Sequence, residues 1–566
     1  MKKNLSNLLL LCVGLHFIGL NSCKQAEIAS YTIEKSITVP NGGIASAHPL
    51  ASEIGLDILR QGGNAVDAAI AVHFALAVVY PVAGNIGGGG FMVYRDKTGE
   101  KYALDFREKA PLQATETMYQ DEKGEIIKGW STEGALAVGV PGAVKGMEEA
   151  FNKFSKLKKW EMLVEPSVKL ADEGFRLTAK QAKNLNSSKE KFVRVNPGLE
   201  SPFTAEKEYA EGDLFIQKDL AETLRSIQDE GSDGFYKGKV AKQFVESMSS
   251  SNGIISLEDL ASYDVAWRDI ISFSYKNYMV HSMPPPSSGG IVLAQLFNAV
   301  ENHNFKGFHS EEDVQIIVEA ERRAYADRAY FMGDADFVEV PVDRLISKEY
   351  MKERMSDFSF EKASEAAKID HGKIESEETT HFSIVDDEGN AVSITTTLNG
   401  AYGSKFIAKG GYLLNNEMDD FSSKVGHPNL YGLVGAEANK IEPGKRMLSS
   451  MTPTIVEKNG ELFMVIGTPG GSTIITSVFQ ACINVMEYKM SMNDAIQSCR
   501  FHHQWKPEEI FYEKECLTTE LVDKLHSKGY KLKERGSIGR MEGILKVGDQ
   551  WEIAADKRGD DHAVGY

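Results

Sequence analysis

The segment Thr379–Asn399, TTHFSIVDDEGNAVSITTTLN, limits the fold more than any other stretch of the chain. Two β-rich runs, His381–Val385 and Ala391–Thr397, flank Asp386-Asp387-Glu388-Gly389-Asn390, a cluster of turn formers. A hairpin centred on Glu388 sets residue 385 against 391, 383 against 393, 381 against 395 and 379 against 397. Opposed residues hold their Cβ atoms roughly 4.5–5.5 Å apart, so Thr379 and Thr397 become neighbours on one face with their hydroxyls within reach. A slipped register would part them. Threonine is also common in strands simply because it fits a pleated surface. Spacing alone therefore leaves a chemical and a structural reading of this pair.

The rest of the chain is ordinary globular material. Of 566 residues, 42% are hydrophobic and 25% charged, enough for a large core or about two to four domain-sized units. A net charge of −18 argues against a nucleic-acid partner, because a phosphate backbone needs a basic face. The first 23 residues differ. Lys2 and Lys3 precede an apolar run, Leu8–Leu20, too short to span a bilayer as a helix and suited to a signal sequence. It ends in Leu20-Asn21-Ser22-Cys23, which resembles a bacterial lipobox with Cys23 as the acylated residue. Residues 1–22 are thus expected to be a lipoprotein-type signal peptide. The protein is expected to be exported, periplasmic or attached to the outer membrane through Cys23. A plain anchor, or a cut elsewhere, would leave Cys23 incidental. Removal of Cys12 and capping of Cys23 leave Cys482, Cys499 and Cys516, an odd remainder that allows one bridge and one free thiol.

Leu50–Arg60 reads as an amphipathic helix ended by Gly62-Gly63, and Asn64 caps a second helix that runs to Val79 before Pro81. The second helix is nearly all apolar but too short to cross a membrane, so it is expected in the core, with His73 a hydrogen-bonded interior histidine. Gly87–Gly90 leads into FMVYR, a strand. A dinucleotide fingerprint runs strand, glycines, helix; here the order is helix, glycines, strand, which indicates close backbone packing instead. Residues 140–350 are mostly helical in pattern, punctuated at Met283–Gly290 (MPPPSSGG). Residues of about 353–378 turn polar, as an exposed and cleavable connection requires. After Thr379 the pattern becomes strand-like.

The Thr379 segment resembles the start of the catalytic small subunit in γ-glutamyltranspeptidases, members of the N-terminal nucleophile hydrolases. The likeness runs from about Ile44 to Tyr566 through AGNIGGGGFM, LDFREKAP, GALAVGVPGAV, MPPPSSGG, AERRAYADRAYFMGD, LLNNEMDDFS, RMLSSMTPT and GTPGGS. It implies an α+β fold, the four-layer αββα sandwich, built jointly by a large subunit (23–378) and a small subunit (379–566). It also implies self-cleavage between Glu378 and Thr379. The new N-terminal threonine then acts as nucleophile, its own α-amine (reference pKa about 7.7–8.0) serving as general base. Thr397 matches the family's second threonine. Arg107 matches the arginine that pairs with the substrate α-carboxylate, a geometry suited to a forked guanidinium. Ser449 and Ser450 match the serines that hydrogen-bond the same carboxylate. Asn399, Glu417 and Asp420 match the residues around the α-ammonium. Gly470 and Gly471 match the oxyanion hole, where glycine permits close approach. Tyr431 matches the aromatic of a substrate-covering lid.

The resemblance further implies glutathione and other γ-glutamyl compounds as donors, water or amino-acid and dipeptide amines as acceptors, and neither metal nor organic cofactor. Two positions depart from the family pattern: Glu378 stands where several bacterial members have glutamine, and Met447 replaces a common proline before the serine pair, with a looser turn expected there. Two rivals stand beside this reading. One is a relative hydrolysing other acyl chains, disfavoured by retention of Asn399, Glu417 and Asp420. The other is an uncleaved, lipid-anchored binding protein, disfavoured by retention of Thr379 and the glycines.

Overall fold

A computed structural model describes residues 31–365, 379–424, 427, 429, 430, 433 and 435–566. Among them lie two seven-stranded sheets in which every neighbouring pair is antiparallel. The first orders Ser36–Val39, Gln550–Ala555, Glu542–Val547, Glu461–Gly467, Thr454–Lys458, Tyr278–Ser282 and Ile271–Tyr275. The second orders His562–Gly565, Gly43–Ser46, Thr380–Val385, Ala391–Thr397, Gly89–Arg95, Lys101–Asp105 and Ala266–Arg268. Residues before and after Thr379 thus contribute interleaved strands to both sheets.

Alternation along the strands assigns the layers. Val385, Ala391, Ala45, Phe91 and Val93 point from the second sheet into a core shared with Ile455, Val465, Ile544 and Ile553 of the first. Their neighbours Phe382, Ile384, Val392 and Ile394 face the other way, onto the helices Pro49–Arg60 and Ala65–Val79. The outer face of the first sheet packs Phe273, Val280, Val456 and Met464 against the helices Gly289–Val300, Glu311–Phe331 and Ile474–Met486. Helix, sheet, sheet, helix is the αββα order expected. Polar pegs join the two sheets near the hairpin: Ser383 Oγ donates to the Glu542 carbonyl at 3.2 Å and Ser393 Oγ to that of Ile466 at 3.2 Å.

Local sequence explains the elements. Asn64 caps its helix in a reciprocal box with Asp67, and every residue of Ala65–Val79 is buried. His73 departs from expectation: it is fully buried, edge-on to Phe106, and neither ring nitrogen makes a well-formed hydrogen bond. Burial lowers its pKa to about 4, so the ring stays neutral and packs as an apolar group. The region 140–350 is largely helical, yet it also carries the strands Ala266–Arg268, Ile271–Tyr275 and Tyr278–Ser282. Cys499 and Cys516 form a disulfide, and Cys482 is a buried free thiol. Among the described residues no helix is long and apolar enough to cross a membrane. The leader, with Cys23, lies outside them.

Candidate active site

The hairpin forms in the register that places Glu388 at its centre: Thr380 pairs with Thr396, His381 with Thr395, Ser383 with Ser393 and Val385 with Ala391. Asp386 holds the turn, its Oδ1 accepting the Glu388 and Asn390 amides at 3.0 and 2.9 Å. Thr379 and Thr397 fall beside each other, with Thr379 Oγ1 donating to Thr397 Oγ1 at 3.4 Å. The Asn399 amide donates to the same Thr397 oxygen at 2.7 Å. Asn399 itself sits at φ 73°, a left-handed conformation that asparagine tolerates.

The glycine cluster explains how the backbone fits here. The strand Gly89–Arg95 lies directly against Ala391–Thr397. A Cβ at Gly88 would meet the Thr397 carbonyl oxygen at 2.1 Å, and one at Gly90 would meet that of Thr395 at 2.4 Å. Only glycine allows that approach, which bears out the packing expectation.

Thr379 and Thr397 line a small cavity together with Arg107, Arg328, Asn399, Glu417, Asp420, Ser449, Ser450 and Gly471. The side chains arrive from five segments. Arg107 follows the strand Lys101–Asp105. Glu417–Asp420 is one 3₁₀ turn, which sets its first and last side chains on one side. Ser449 is held by the MPPPSSGG segment, its amide donating to the Pro286 carbonyl at 2.9 Å and its carbonyl accepting the Ser288 amide at 2.8 Å. Met447, where a proline was usual, is buried against Met418, Phe421 and Tyr119, and the next amide donates to Asn439 Oδ1 at 3.0 Å. Gly471 opens a 3₁₀ turn that runs into the helix Ile474–Met486, whose first amides lack intrahelical partners and carry the positive end of its dipole.

Gly470 and Gly471 have φ of 140° and 52°. Gly471 lines the cavity, whereas Gly470 lines a neighbouring one with Tyr80, Lys180 and Arg540. Tyr431, Glu378 and Cys23 lie outside the described residues. Sequence reasoning did not single out Arg328, although it stands in the AERRAYADRAYFMGD motif. Its own helix also buries Asp313, Glu319, Glu321, Arg322, Arg323 and Asp327, so one more arginine there carries no distinguishing signal.

Electrostatically the cavity is a buried cluster of opposite charges. Arg107 lies 2.6 Å from Glu417 and 2.6 Å from Asp420, with Glu108 at 3.4 Å. Burial works against its charge, but these three carboxylates outweigh burial and hold its pKa above the ordinary arginine value. Burial raises the Asp420 and Glu417 carboxyls against the pull of Arg107. It pushes Glu108 up to about 7. Asp420 also accepts from Asn429 Nδ2 at 3.0 Å. His381, two residues from Thr379, is held neutral by burial, its pKa down to about 3, with Thr395 and Ser383 hydroxyls at its two ring nitrogens. It is not placed to exchange protons with solvent near neutrality. Hydroxyl pair, zwitterionic wall and helix N-terminus together suit nucleophilic acyl transfer on a small zwitterionic substrate.

Comparison with known proteins agrees with that chemistry. The family model described as gamma-glutamyltranspeptidase matches residues 51–566. A glutathione hydrolase proenzyme of Pseudomonas sp. (strain A14) is 47% identical, over 87% of this chain and 86% of that one. A glutathione hydrolase proenzyme of Escherichia coli (strain K12) is 43% identical, over 96% and 97%. The crystal structure of cephalosporin acylase from Bacillus halodurans shares the fold, with a TM-score of 0.82 at 24% identity over 95% of this chain and 98% of that one. The family model over most of the chain and relatives at 43–47% identity show that this chain belongs to the γ-glutamyltranspeptidase family.

Proposed function

We propose that the protein is a self-processed γ-glutamyltransferase and glutathione hydrolase with Thr379 as nucleophile. The observation that carries this is the convergence of the Thr379–Thr397 hydroxyl pair with both charge poles of an α-amino acid in one cavity. Cleavage between Glu378 and Thr379 frees an α-amine that takes the Oγ1 proton as the oxygen attacks the γ-carbonyl carbon. The C–N bond then breaks, the leaving amine departs with that proton, and a γ-glutamyl ester remains. Water or an acceptor amine attacks the ester and returns the hydroxyl. Thr397 orients Oγ1, Gly470 and Gly471 supply amides to the oxyanion, and Asn399, Glu417 and Asp420 receive the α-ammonium. Arg107, Ser449 and Ser450 receive the α-carboxylate, and Tyr431 covers the site. Large and small subunits (residues 23–378 and 379–566) stay together as a heterodimer.

The test is direct. Purified protein should separate into two chains on a denaturing gel, the smaller starting at Thr379. It should release the amine from a γ-glutamyl anilide faster when a dipeptide acceptor is added. Thr379→Ala should remain one chain and be inactive; an intact, fully active chain would overturn the mechanism. The leader supports a second part of the reading, that Cys23 carries lipid and holds the exported enzyme at a membrane. Equal partitioning of wild type and Cys23→Ala between membrane and soluble fractions would exclude that anchor.

A further inference from the structure

The cavity holds two arginines with opposite surroundings. Arg107 is neutralised by Glu417 and Asp420 at 2.6 Å each. Arg328, on the helix Glu311–Phe331, is 3% exposed and forms no ion pair among the described residues. Its Nε donates to Ser288 Oγ at 2.9 Å and its Nη2 to Ser450 Oγ at 3.0 Å. A buried guanidinium without a carboxylate is costly, and such a charge is normally paired. Here the missing partner has a place to stand, because Arg328 lines the cavity beside Thr379.

The hydroxyls around it are committed in a matching way. Ser288 Oγ donates to the Ser449 carbonyl at 2.7 Å while accepting from Arg328. Ser449 Oγ accepts the Met451 amide at 3.1 Å, and Ser450 Oγ accepts from Arg328. A serine hydroxyl has one proton and two lone pairs. With lone pairs engaged, both serines keep a proton to give, and among the described residues neither proton has an acceptor. Two unspent donors face the cavity together with a cation that touches no carboxylate and feels Asp420, already bound to Arg107, only through space; an anion satisfies all three.

We infer that Arg328 is a positioning residue for the substrate α-carboxylate: it fixes Ser450 as a donor into the cavity and supplies the positive charge that Arg107 has already committed to Glu417 and Asp420. This rests on the proposed function, since it names how that site tells a carboxylate from its absence. Arg107 then bridges the two poles, and Arg328 makes the serine end cationic.

The experiment compares three anilides with processed wild type, Arg328→Gln and Arg328→Lys. The γ-glutamyl compound carries both α-substituents, the glutaryl compound lacks the ammonium and the 4-aminobutyryl compound lacks only the carboxylate. Rates are read under single turnover with enzyme in excess. Arg328→Gln should lose roughly 10- to 100-fold in kcat/KM on both carboxylate-bearing anilides, chiefly through KM. It should stay within about twofold on the 4-aminobutyryl anilide, and Arg328→Lys should recover part of the loss. Should Arg328→Gln fail to process, Arg328→Lys and Ser288→Ala, which removes one Arg328 partner, are read the same way with smaller changes. Equal losses on all three substrates would mean that Arg328 only supports the fold and would overturn the inference. Absence of γ-glutamyl turnover in the wild type would instead overturn the proposed function, so the two failures are distinct.

Discussion

Asp420 sits at the meeting point of the cavity's charges, taking Arg107 Nη2 on one oxygen at 2.6 Å and Asn429 Nδ2 on the other at 3.0 Å. In the proposed reaction it also receives the substrate α-ammonium, and a charge-assisted contact in a dry site is worth about 1.5–3 kcal/mol. Asp420→Asn is therefore expected to lower kcat/KM for a γ-glutamyl anilide by roughly ten- to several-hundred-fold. A glutaryl anilide has no ammonium to lose, so its rate should hold or rise slightly. If a fully processed Asp420→Asn enzyme lost both substrates equally, Asp420 would be structural only. Single residues were legible where a local rule fixed them. Thr379 and Thr397 followed from strand periodicity about one turn. Arg328 was not legible, because its partners Ser288 and Ser450 lie 40 and 122 residues away and no local pattern encodes that meeting.

At the scale of elements, the strand Gly89–Arg95 and the segment before it form a bed for the second strand of the hairpin. The fit leaves no room for a methyl group: a Cβ at Gly90 would come within 2.4 Å of the Thr395 carbonyl and 2.8 Å of the Thr396 Cα. Backbone cannot swing aside as a flexible side chain would, so overpacking here should cost at least the usual ~1–3 kcal/mol. Gly90→Ala is expected to lower the melting temperature by several degrees. It should also slow self-cleavage, because Thr397 moves with its strand. A variant that processed and turned over normally would show the sheet to be more pliant than this packing implies. The hairpin and the first two helices were readable from turn residues, caps and apolar period. The strands Ala266–Arg268, Ile271–Tyr275 and Tyr278–Ser282 were not. They are three to five residues long and set among helices; Ala266–Arg268 and Tyr278–Ser282 join sheet partners distant in sequence, and Ile271–Tyr275 is the edge arm of a short hairpin with Tyr278–Ser282. The burial of His73 without a well-formed hydrogen bond likewise depends on Phe106, which the sequence of its own helix does not contain.

The layered architecture was legible only through the likeness of many ordered motifs to a known family, since periodicity specifies strands and helices but not which strand lies beside which. What periodicity could not supply is the interleaving. In the second sheet Gly43–Ser46 pairs with both Thr380–Val385 and His562–Gly565, and Ala391–Thr397 pairs with Gly89–Arg95. In the first, Thr454–Lys458 pairs with Tyr278–Ser282, and Ser36–Val39 pairs with Gln550–Ala555. This weave has a kinetic consequence. An uncut precursor folds by a unimolecular reaction, its strands held at one another's disposal by the connecting chain. Once Thr379 has become a terminus, neither chain owns a complete sheet, and recovery from denaturant becomes a second-order encounter between two aggregation-prone halves. Thr379→Ala precursor should refold with a rate independent of protein concentration. Cleaved enzyme, denatured and diluted in parallel, should regain its structure slowly, at a rate that rises with concentration and in poor yield. Concentration-independent recovery of the cleaved enzyme would show that one chain carries a fold of its own. Cutting the chain thus acts as a ratchet: the molecule folds as one piece and thereafter persists by the height of its unfolding barrier, not by any ready return from the unfolded state.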